Sequence, residues 1–378
     1  MNQFEAGHWV KQGGLGYRAF VPTRVNRKWQ IDDMELIRKL GTADRFLGRL
    51  DAFSDLVDID FYVRMHVTKE ATLSAKIEGT QTSVREALLE RQAVARERRD
   101  DWEEVNNYVE ALHHAIDSLN RLPLSSRLIC ATHRLLMQGV RGKNKQPGTY
   151  RTSQNWIGGA GPGNATFVPP PHTQVQDLMS DLEKMINGET DGLPELLKAA
   201  LLHYQFETIH PFQDGNGRLG RLLIPLYLMS KEILRQPVLY LSAYFEGNRT
   251  AYYDHLTAVR TKGNLLAWFH FFLDGIISTA RDGVRTFNET IRLERQLPDI
   301  INTLGGRSAN GQRLLRVLFG QPVISATDIS RELSVTPATA YKLVSEFVAL
   351  GILAEVPSSG RGRHYGFDPY LSLFAEAR

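Results

Sequence analysis

Apolar residues recur at spacings of three and four over most of this chain, which is the period of helices that bury one face. The pattern starts near Asp32 and breaks at clusters of glycine, proline and polar residues. Helices are predicted over about 32–50, 61–79, 83–95, 102–119, 125–137, 173–187, 193–209, 216–236, 248–261, 264–294, 312–319, 325–333 and 336–350. We therefore expect a mainly α protein.

Three stretches interrupt the helical pattern. Residues 1–30 are rich in Gly and Pro and predict an extended arm that lies on a later domain. Residues 141–171 combine many glycines and three consecutive prolines with short β-like pieces, which predicts a β-hairpin flap. Those pieces cover 149–151, 155–157 and 166–168. Residues 296–310, with Leu-Pro-Asp and Gly-Gly, predict a linker.

These breaks divide the chain into four parts. They are an N-terminal arm and helical region (1–95), a central helical core (96–295), a linker (296–310) and a small C-terminal unit (311–378). The last unit has the order helix, helix, tight turn, helix and hairpin, which is typical of a winged helix-turn-helix. Thr336 and Pro337 cap its third helix, and Arg361 and Arg363 lie in the turn of its hairpin, where they could touch DNA phosphates.

Composition narrows the class of protein. The hydrophobic fraction is 42%, the charged fraction is 23% and the net charge is only +3, as in ordinary globular proteins. The single cysteine, Cys130, excludes an intrachain disulfide and a thiolate metal cluster. No signal-peptide pattern and no apolar run of about 20 residues is present, so we expect a cytoplasmic protein without membrane spans.

The most informative segment is His-Pro-Phe-Gln-Asp-Gly-Asn-Gly-Arg-Leu-Gly-Arg, from His210 to Arg221. A helix should end at His210 because the residue before a proline avoids the helical region. Gly215 and Gly217 flank Asn216, so the chain can adopt positive φ angles and turn successive N–H groups inward as an anion-binding nest. The next helix starts there, and its positive end faces the same hollow.

Side chains in this segment add the chemistry of a transfer site. Arg218 and Arg221 are three residues apart and share one side of the helix. Asp214 is a carboxylate beside the expected phosphates, which is a usual way to hold Mg²⁺. His210 can accept a proton from a hydroxyl near neutral pH. Together they predict a phosphoryl or nucleotidyl transfer site.

The segment resembles the Fic family signature, H-P-F-x-D-G-N-G-R-x-x-R, at every specified position. The resemblance implies a protein adenylyltransferase, in which His210 deprotonates a Ser, Thr or Tyr hydroxyl that attacks the α-phosphorus of ATP. It also implies that Asp214 holds Mg²⁺, and that Asn216 and the main chain of Gly215 to Arg218 bind the α- and β-phosphates. Arg221 would hold the γ-phosphate. Relatives that phosphorylate instead carry lysine where this chain has Gly217, so glycine favours AMP transfer.

A second match lies upstream, at Ser74-Ala-Lys-Ile-Glu78-Gly79. Ser74 and Glu78 are four apart and share one face of a predicted helix. The segment resembles the inhibitory motif of the Fic family, [S/T]-x-x-x-E-[G/N], in the class with an N-terminal inhibitory helix. In that resemblance Glu78 pairs with Arg221, so that ATP binds in a pose unfit for in-line attack. A helix that simply ends at its glycine cap is the alternative.

The resemblance also implies neighbours of the nucleotide. The predicted flap would align the target as an added strand, with Thr166, Phe167 and Val168 bordering nucleotide and target. Asn248 and the pair Tyr252-Tyr253 lie where relatives place adenine and ribose contacts, and Tyr252 is the stronger candidate. Plain helix packing is the alternative for both tyrosines. The full expected fold is a Fic-type helical core with a β-hairpin flap, an N-terminal helical extension and a C-terminal winged-helix domain.

Several alternatives stay open. His203, Glu207 and His210 share a helix face, yet they lack the spacing of zinc helices, and packing beneath the loop is the preferred interpretation. The protein could be a DNA-binding regulator whose Fic core only senses nucleotide, or a Fic enzyme that removes AMP or moves another group. Lys342 is the only cation in 336–350, and a single cation is little for a helix that reads bases in a DNA groove. Self-modification and a homodimer are further expectations.

Overall fold

The structure, a computed structural model, describes residues 4–14, 16–55, 59–139, 145–188, 192–359 and 362–375. The helices of the described chain are α1 (Met34–Asp51), α2 (Ile59–Ile77), α3 (Val84–Ala87), α4 (Arg99–Leu119), α5 (Ser126–Leu136), α6 (His172–Asn187), α7 (Glu195–Ile209), α8 (Asn216–Ser230), α9 (Ser242–Gly247), α10 (Arg249–Lys262), α11 (Leu265–Asn302), α12 (Ser308–Gly320), α13 (Ala326–Leu333), α14 (Pro337–Ala349) and α15 (Asp368–Ser372). The strands are β1 (Gly7–Lys11), β2 (Arg18–Pro22), β3 (Val323–Ser325), β4 (Leu353–Val356) and β5 (His364–Phe367). The protein is mainly helical, as predicted.

Helices α7 and α8 form the centre of the molecule. Every residue of α7 from Leu196 to Ile209 is buried, because α6, α8 and α11 pack around it. A helix that is apolar on all sides needs such surroundings. Helices α2, α4 and α5 cover α8. The loop that joins α7 to α8, residues 210–215, is therefore held at both ends by buried helices.

The predicted linker 296–310 is mostly helical. Helix α11 continues to Asn302, and α12 begins at Ser308 after a short turn. Pro298 lies inside α11 and removes one helical hydrogen bond, a loss that normally costs about 3 kcal/mol. Leu297 and Ile301 are buried on either side of it, so their burial offsets that loss.

The predicted helix over 83–95 is also interrupted. Ser83 caps α3, which ends at Ala87, and two short 3₁₀ turns follow. Leu89 and Val94 are buried in a second apolar core, together with the C-terminal unit. A continuous helix would place these side chains on a different path, so tertiary packing overrides the local pattern.

The N-terminal arm folds as a hairpin and lies on the flap. Strands β1 and β2 pair antiparallel, with Lys11 opposite Arg18. The N–H of Phe20 donates to the carbonyl of Val168 at 2.9 Å, which attaches the hairpin to the flap. The predicted flap hairpin is present in minimal form, since Ile157 and Phe167 make one antiparallel bridge. Residues 149–151 are without strand structure.

The C-terminal unit contains α12 to α15 and a three-stranded antiparallel sheet of order β3-β5-β4. Ser325 and Asp328 form the predicted capping box, and Thr336 caps α14. The predicted order of helices and hairpin is present, with β3 and α15 in addition. Arg361 lies outside the described residues. The core of this unit also takes in Met65 of α2, so packing crosses the predicted boundary at residue 95.

Within the described ranges, no helix combines the length and the apolar run that crossing a lipid bilayer requires.

Candidate active site

The loop between α7 and α8 starts with a residue in an unusual conformation. His210 ends α7 with φ at +50°, in the left-handed region that residues other than glycine rarely enter. Its carbonyl accepts hydrogen bonds from Arg151 Nε at 3.0 Å and from Asn155 Nδ2 at 3.2 Å. These contacts hold the peptide in a conformation that would otherwise cost about 1 kcal/mol or more.

Arg151 and Asn155 together fix the whole start of the loop. The Arg151 guanidinium also donates to the carbonyls of Pro170 at 2.6 Å and Ile209 at 3.4 Å. Asn155 donates to the carbonyl of Phe212 at 2.8 Å. Arg151 is only 2% exposed. Sequence analysis missed the role of both residues, because a contact to a distant main-chain carbonyl leaves no periodic or spacing signal.

The centre of the loop shows one of the two predicted positive φ angles. Gly215 has φ at +75°, whereas Gly217 is helical because α8 already begins at Asn216. The main chain from Gly215 to Arg218 is called the nest below. The side chain of Asn216 is tied to Phe212, whose N–H it accepts at 2.9 Å and whose carbonyl it bonds at 2.8 Å. The amide of Asn216 thus shapes the loop, while the first N–H groups of α8 have no helical partner and face the hollow.

His133 supports the loop from below. Its Nδ1 accepts from the N–H of Gly148 at 2.8 Å, and its Nε2 donates to the carbonyl of Asp214 at 3.0 Å. The ring stacks on Phe212 at 3.7 Å between centroids. The carboxylate of Asp214 is exposed and accepts from the N–H of Gly215 at 2.7 Å. The His133 ring therefore orients the peptide between Asp214 and Gly215, and Asp214 is the predicted ligand of Mg²⁺.

Arg221 is held by the upstream helix α2. Its Nε donates to Ser74 Oγ at 2.9 Å, and its Nη2 donates to the Ser74 carbonyl at 2.9 Å and to Glu78 Oε1 at 2.7 Å. The Arg221 side chain is 1% exposed, whereas that of Glu78 is 38% exposed. Although burial opposes the shift, the Arg221 guanidinium lowers the pKa of Glu78. The predicted pairing of Glu78 with Arg221 is thus present as a charged contact.

Gly217 leaves room for this contact. A Cβ at residue 217 would lie 2.2 Å from Glu78 Oε1 and 3.1 Å from Arg221 Nη1. Any side chain there would displace the glutamate. The other signature arginine, Arg218, bonds Glu104 Oε2 at 2.9 Å and is 6% exposed, so α4 fixes its direction. Glu104 was not singled out from the sequence.

The partly buried His210 and the buried Glu207 lie side by side next to the nest. Their closest atoms, His210 Nδ1 and Glu207 Oε2, are 4.0 Å apart. His210 Nδ1 and Glu207 Oε1 have no hydrogen-bond partner in the described chain. Burial, with Arg260 and Arg151 nearby, lowers the pKa of His210 to about 4. Burial raises the pKa of Glu207 to about 7. The histidine is therefore neutral at pH 7 and able to accept a proton.

His203 lies deeper and serves packing. Its Nδ1 donates to the carbonyl of Gly220 at 3.0 Å, and its Nε2 accepts from the Tyr252 hydroxyl at 2.8 Å. Both ring nitrogens are engaged, and no group of three or more His, Cys, Asp or Glu suited to a metal occurs among the described residues. Tyr252 is buried and stacks on Phe245 at 4.6 Å between centroids. The Tyr252 hydroxyl is thus held in place by its bond to His203 and by the packing of its ring on Phe245.

A cavity of about 430 Å³ collects most of the predicted site. Its lining includes the predicted residues Glu78, His210, Asp214, Gly215, Asn216, Gly217, Arg218, Arg221, Tyr252 and Tyr253. The rest of the lining was not predicted to bind the nucleotide and consists of Glu104, Trp156, Ile157, Gly158, Glu207 and Gln213. Asn248 is not part of this lining, since its amide bonds the Tyr244 carbonyl at 2.9 Å. Thr166, Phe167 and Val168 line a neighbouring cavity instead.

In the C-terminal unit, the predicted DNA-contacting cations are sparse. Lys342 is exposed on α14, and Glu346 of the same helix bonds Arg307 at 2.5 Å. Arg363 lies 3.7 Å from Glu355. DNA binding by this unit stays a prediction.

Comparison with known families agrees with this geometry. Residues 123–228, which contain the loop, match the model of the Fic/DOC family, and residues 37–117, which contain α2, match the model of its N-terminal region. The chain carries a Fic domain. Its Fic domain is preceded by a Fic N-terminal region, so Glu78 and His210 belong to separate matched segments of one fold.

Curated relatives of the Fic domain carry an enzymatic name. "Protein adenylyltransferase Fic" of Drosophila mojavensis is 28% identical over 291 residues, which are 74% of this chain and 53% of that protein. The protein of the same name from Culex quinquefasciatus is 34% identical over 128 residues, which are 34% of this chain and 23% of that protein. The chain thus spans about half or less of these relatives' length.

Solved structures share the fold. A Fic family protein from Desulfovibrio desulfuricans G20 is 20% identical, with a TM-score of 0.58 over 90% of this chain and 98% of that one. Fic-1 of C. elegans, residues 134–508, is 21% identical, with a TM-score of 0.51 over 68% of this chain and 74% of that one. At these identities the likeness concerns the fold alone.

Proposed function

We propose that the protein transfers AMP from ATP to a Ser, Thr or Tyr hydroxyl of a target protein, itself included. The observation that carries this proposal is that His210, Asp214, Arg221 and the first turn of α8 line one cavity, inside the segment that matches the Fic/DOC family. The name of the curated relatives supports the same reaction. Transfer of a nucleotide needs a base and a phosphate cradle, and little covalent chemistry from the protein.

In this proposal His210 is the base. Its neutral imidazole takes the proton of the acceptor hydroxyl, whose oxygen bonds to the α-phosphorus of ATP while the bond to pyrophosphate breaks. The N–H groups from Gly215 to Arg218 hold the α- and β-phosphates, with the positive end of α8 behind them. Arg151 and Asn155 do not line the described cavity, and in this proposal they keep His210 at its rim by holding the His210 carbonyl.

Asp214 is the residue that would hold Mg²⁺. Its carboxylate is exposed at the cavity, and oxygen donors suit this ion. Mg²⁺ is usually bound by one or two carboxylates with phosphate oxygens and waters, which fits a single aspartate. When bound, the ion would neutralise phosphate charge during transfer.

Glu78 is proposed as the brake. The Arg221 guanidinium that it occupies is the group proposed to hold the γ-phosphate. An arginine fully engaged by a carboxylate cannot bind a phosphate in the same place, so ATP would lie in an unproductive position. Ser74 holds the same arginine from the other side, so release of Glu78 leaves Arg221 in position.

We expect Glu78→Gly to raise AMP transfer several-fold or more, because it frees Arg221. The measurement uses labelled ATP and Mg²⁺ with the wild type, Glu78→Gly, His210→Ala and the double variant, read as the mass gain of one AMP on the protein itself or on lysate proteins. Glu332→Gly removes an exposed glutamate at another helix end and serves as the matched control.

His210→Ala should abolish the AMP mass gain in both backgrounds. Equal modification by the wild type and Glu78→Gly would refute the brake while leaving the transfer reaction in place. ATP binding without any AMP on protein would refute the transfer reaction itself and favour nucleotide sensing. A different mass gain would indicate a different transferred group.

A further inference from the structure

A second cavity lies on the outer side of the flap. It has a volume of about 630 Å³ and is formed by the β1–β2 hairpin on one side and by residues 162–168 on the other. We call it the hairpin groove. None of its lining residues belongs to the nest or contacts the signature arginines. The groove is larger than the cavity that contains His210.

Two cations meet in this groove without an anion. Lys11 lies directly opposite Arg18 in the antiparallel ladder, and both line the groove. Like charges at directly opposed positions are unfavourable. Within the described chain neither side chain makes an ion pair, and no Asp or Glu occurs in the described lining. A bound anionic group would remove the repulsion between them.

An aromatic side chain stands beside the cations. Trp9 lies two residues before Lys11, hence on the same face of the hairpin, and is 41% exposed. Its ring contacts Phe20 at 5.1 Å and Phe167 at 6.2 Å between centroids, both edge to face. An exposed tryptophan anchored on a buried phenylalanine is a rigid apolar contact of the kind found at the centre of protein interfaces.

The flap is a shared wall between this groove and the active-site cavity. Ile157 and Phe167 exchange both main-chain hydrogen bonds, at 2.8 and 3.1 Å. Ile157 lines the active-site cavity, whereas Phe167 lines the hairpin groove. The guanidinium of Arg260 helps to lower the pKa of His210, and it lies 4.0 Å from the Phe167 ring centroid. A molecule bound in the hairpin groove is therefore separated from the cavity that contains His210 only by the flap residues Ile157 and Phe167.

We propose that the hairpin groove binds an acidic segment of the target protein beside the hydroxyl that receives AMP. The inference rests on the proposed transfer to a protein and adds a preference for the sequence around the acceptor. The opposed cations recognise carboxylates, and Trp9 covers an apolar side chain between them. A nucleic acid would need a longer basic stripe than two residues, and the net charge of the chain is only +3.

The test compares three pools of fluorescein-labelled 12-residue peptides that share a central threonine. The flanking positions carry Asp or Glu in the first pool, Asn or Gln in the second, and Lys or Arg in the third. Fluorescence anisotropy with the full chain, without ATP, should show the acidic pool binding roughly fivefold or more tightly than the amide pool, with the difference shrinking in high salt. Equal binding of the three pools overturns the proposal.

Charge reversal locates the effect. Lys11→Glu with Arg18→Glu should abolish the preference for the acidic pool, whereas Arg45→Glu with Lys342→Glu, at exposed sites on α1 and α14, should retain it. Lys11→Glu alone removes the cross-strand repulsion, so its melting temperature should stay equal or rise while acidic binding weakens. A lower melting temperature with unchanged peptide preference would assign the two cations a structural role instead.

Two further readouts separate this inference from the proposed function. AMP on lysate proteins together with no preference for acidic peptides would refute the proposed role of the groove and leave the proposed AMP transfer in place. Binding of acidic peptides in the groove without any AMP on protein would support the groove as a peptide site and refute the proposed AMP transfer. A fluorescein-labelled dT12 that binds as tightly as the acidic pool, and is lost in the same double variant, would assign the groove to nucleic acid and overturn the protein partner.

Discussion

At the scale of single residues, the proposed base depends on contacts to its main chain. His210 keeps a left-handed conformation because Arg151 and Asn155 hold its carbonyl. The same arginine joins Pro170, beyond the flap, to the end of α7. Small displacements of a catalytic group lower a rate steeply, since a shift of about 1 Å can cost roughly a hundredfold. Arg151 is therefore a positioning residue for the proposed reaction.

We expect Arg151→Lys, measured in the Glu78→Gly background, to lower kcat for AMP transfer at least roughly tenfold, with a smaller change in the KM for ATP. A lysine ammonium cannot reproduce the fork that spans several carbonyls. Gln154→Ala is the matched control, because Gln154 bonds Pro169 from the same loop without touching residues 209–212. Unchanged kcat in a folded Arg151→Lys protein would contradict the positioning role.

The residues from His210 to Arg221 could be singled out because they are contiguous, so their chemistry and spacing appear together in the sequence. Arg151, Asn155 and Glu104 could not be predicted in the same way. Each acts on a partner more than 50 positions away, Arg151 and Asn155 through main-chain carbonyls and Glu104 through a charge. The nucleotide contact of Asn248 stays a prediction, since its amide bonds the Tyr244 carbonyl and the residue is not part of the cavity lining.

At the scale of elements, one face of α2 leads to the proposed brake. Glu70 and Ser74 of α2, and Glu78 directly after its end, follow each other at four-residue steps. The buried carboxylate of Glu70 accepts from the N–H of Ser242 at 3.1 Å and from its hydroxyl at 2.5 Å, which fastens the helix to α9. Burial raises the pKa of Glu70. With this anchor in place, the next two turns lie over Arg221.

Ser74→Ala in the Glu78→Gly background should raise the KM for ATP several-fold and lower the free energy of unfolding by about 1–3 kcal/mol. The buried Nε of Arg221 would lose its partner. Thr72→Val removes a buried hydroxyl of the same helix that bonds only its own turn, and it should leave the KM unchanged. Equal KM shifts in both variants would mean that the helix, and not the contact to Arg221, matters.

Most helices could be placed from apolar periodicity to within a few residues, because each buries one face in a local pattern. Two exceptions, 83–95 and 296–302, lie where the second apolar core recruits side chains. A third is 231–236, which was predicted to continue α8, whereas α8 ends at Ser230. In the first two, the free energy gained by burying Leu297 offsets the cost of Pro298 inside α11. In the same way, the burial of Val94 is favoured over the hydrogen bonds of a continuous helix across 83–95. Such choices depend on the partner surface, which no local window of the sequence contains.

At the scale of the whole molecule, buried and partly buried histidines link stability to pH. Burial lowers the pKa of His66 and His203 to about 3, and that of His133 and His210 to about 4. In the unfolded chain each would titrate near 6.5. Between about pH 6.5 and pH 4 the unfolded state therefore binds more protons than the folded state, so acid favours unfolding. Glu207, with its pKa raised to about 7, opposes part of this effect, since its contribution is lost as pH rises.

We expect the free energy of unfolding, measured by urea titration, to fall between pH 6.5 and pH 4.5. Each of the four histidines contributes up to about 1.4 kcal/mol per pH unit, and Glu207 and Glu70 reduce the total. His66→Gln should flatten the dependence by about one proton, whereas replacement of the exposed His8 should not. Stability that is constant or rises towards pH 4.5 would contradict the neutral burial of these rings.

The second apolar core has a practical consequence for anyone who wishes to trim the chain. Met65 of α2, the helix that ends directly before Glu78, belongs to this core, as do Leu89 and Val94 from the segment that follows. Cutting after α11 would leave these side chains against water and loosen the base of α2. A shortened protein would then tend to aggregate through its exposed apolar side chains. If Glu78 acts as the proposed brake, the shortened protein would also be more active, because the truncation itself loosens α2. The part of the chain that contains the proposed active site therefore cannot be separated from the C-terminal unit without exposing this core.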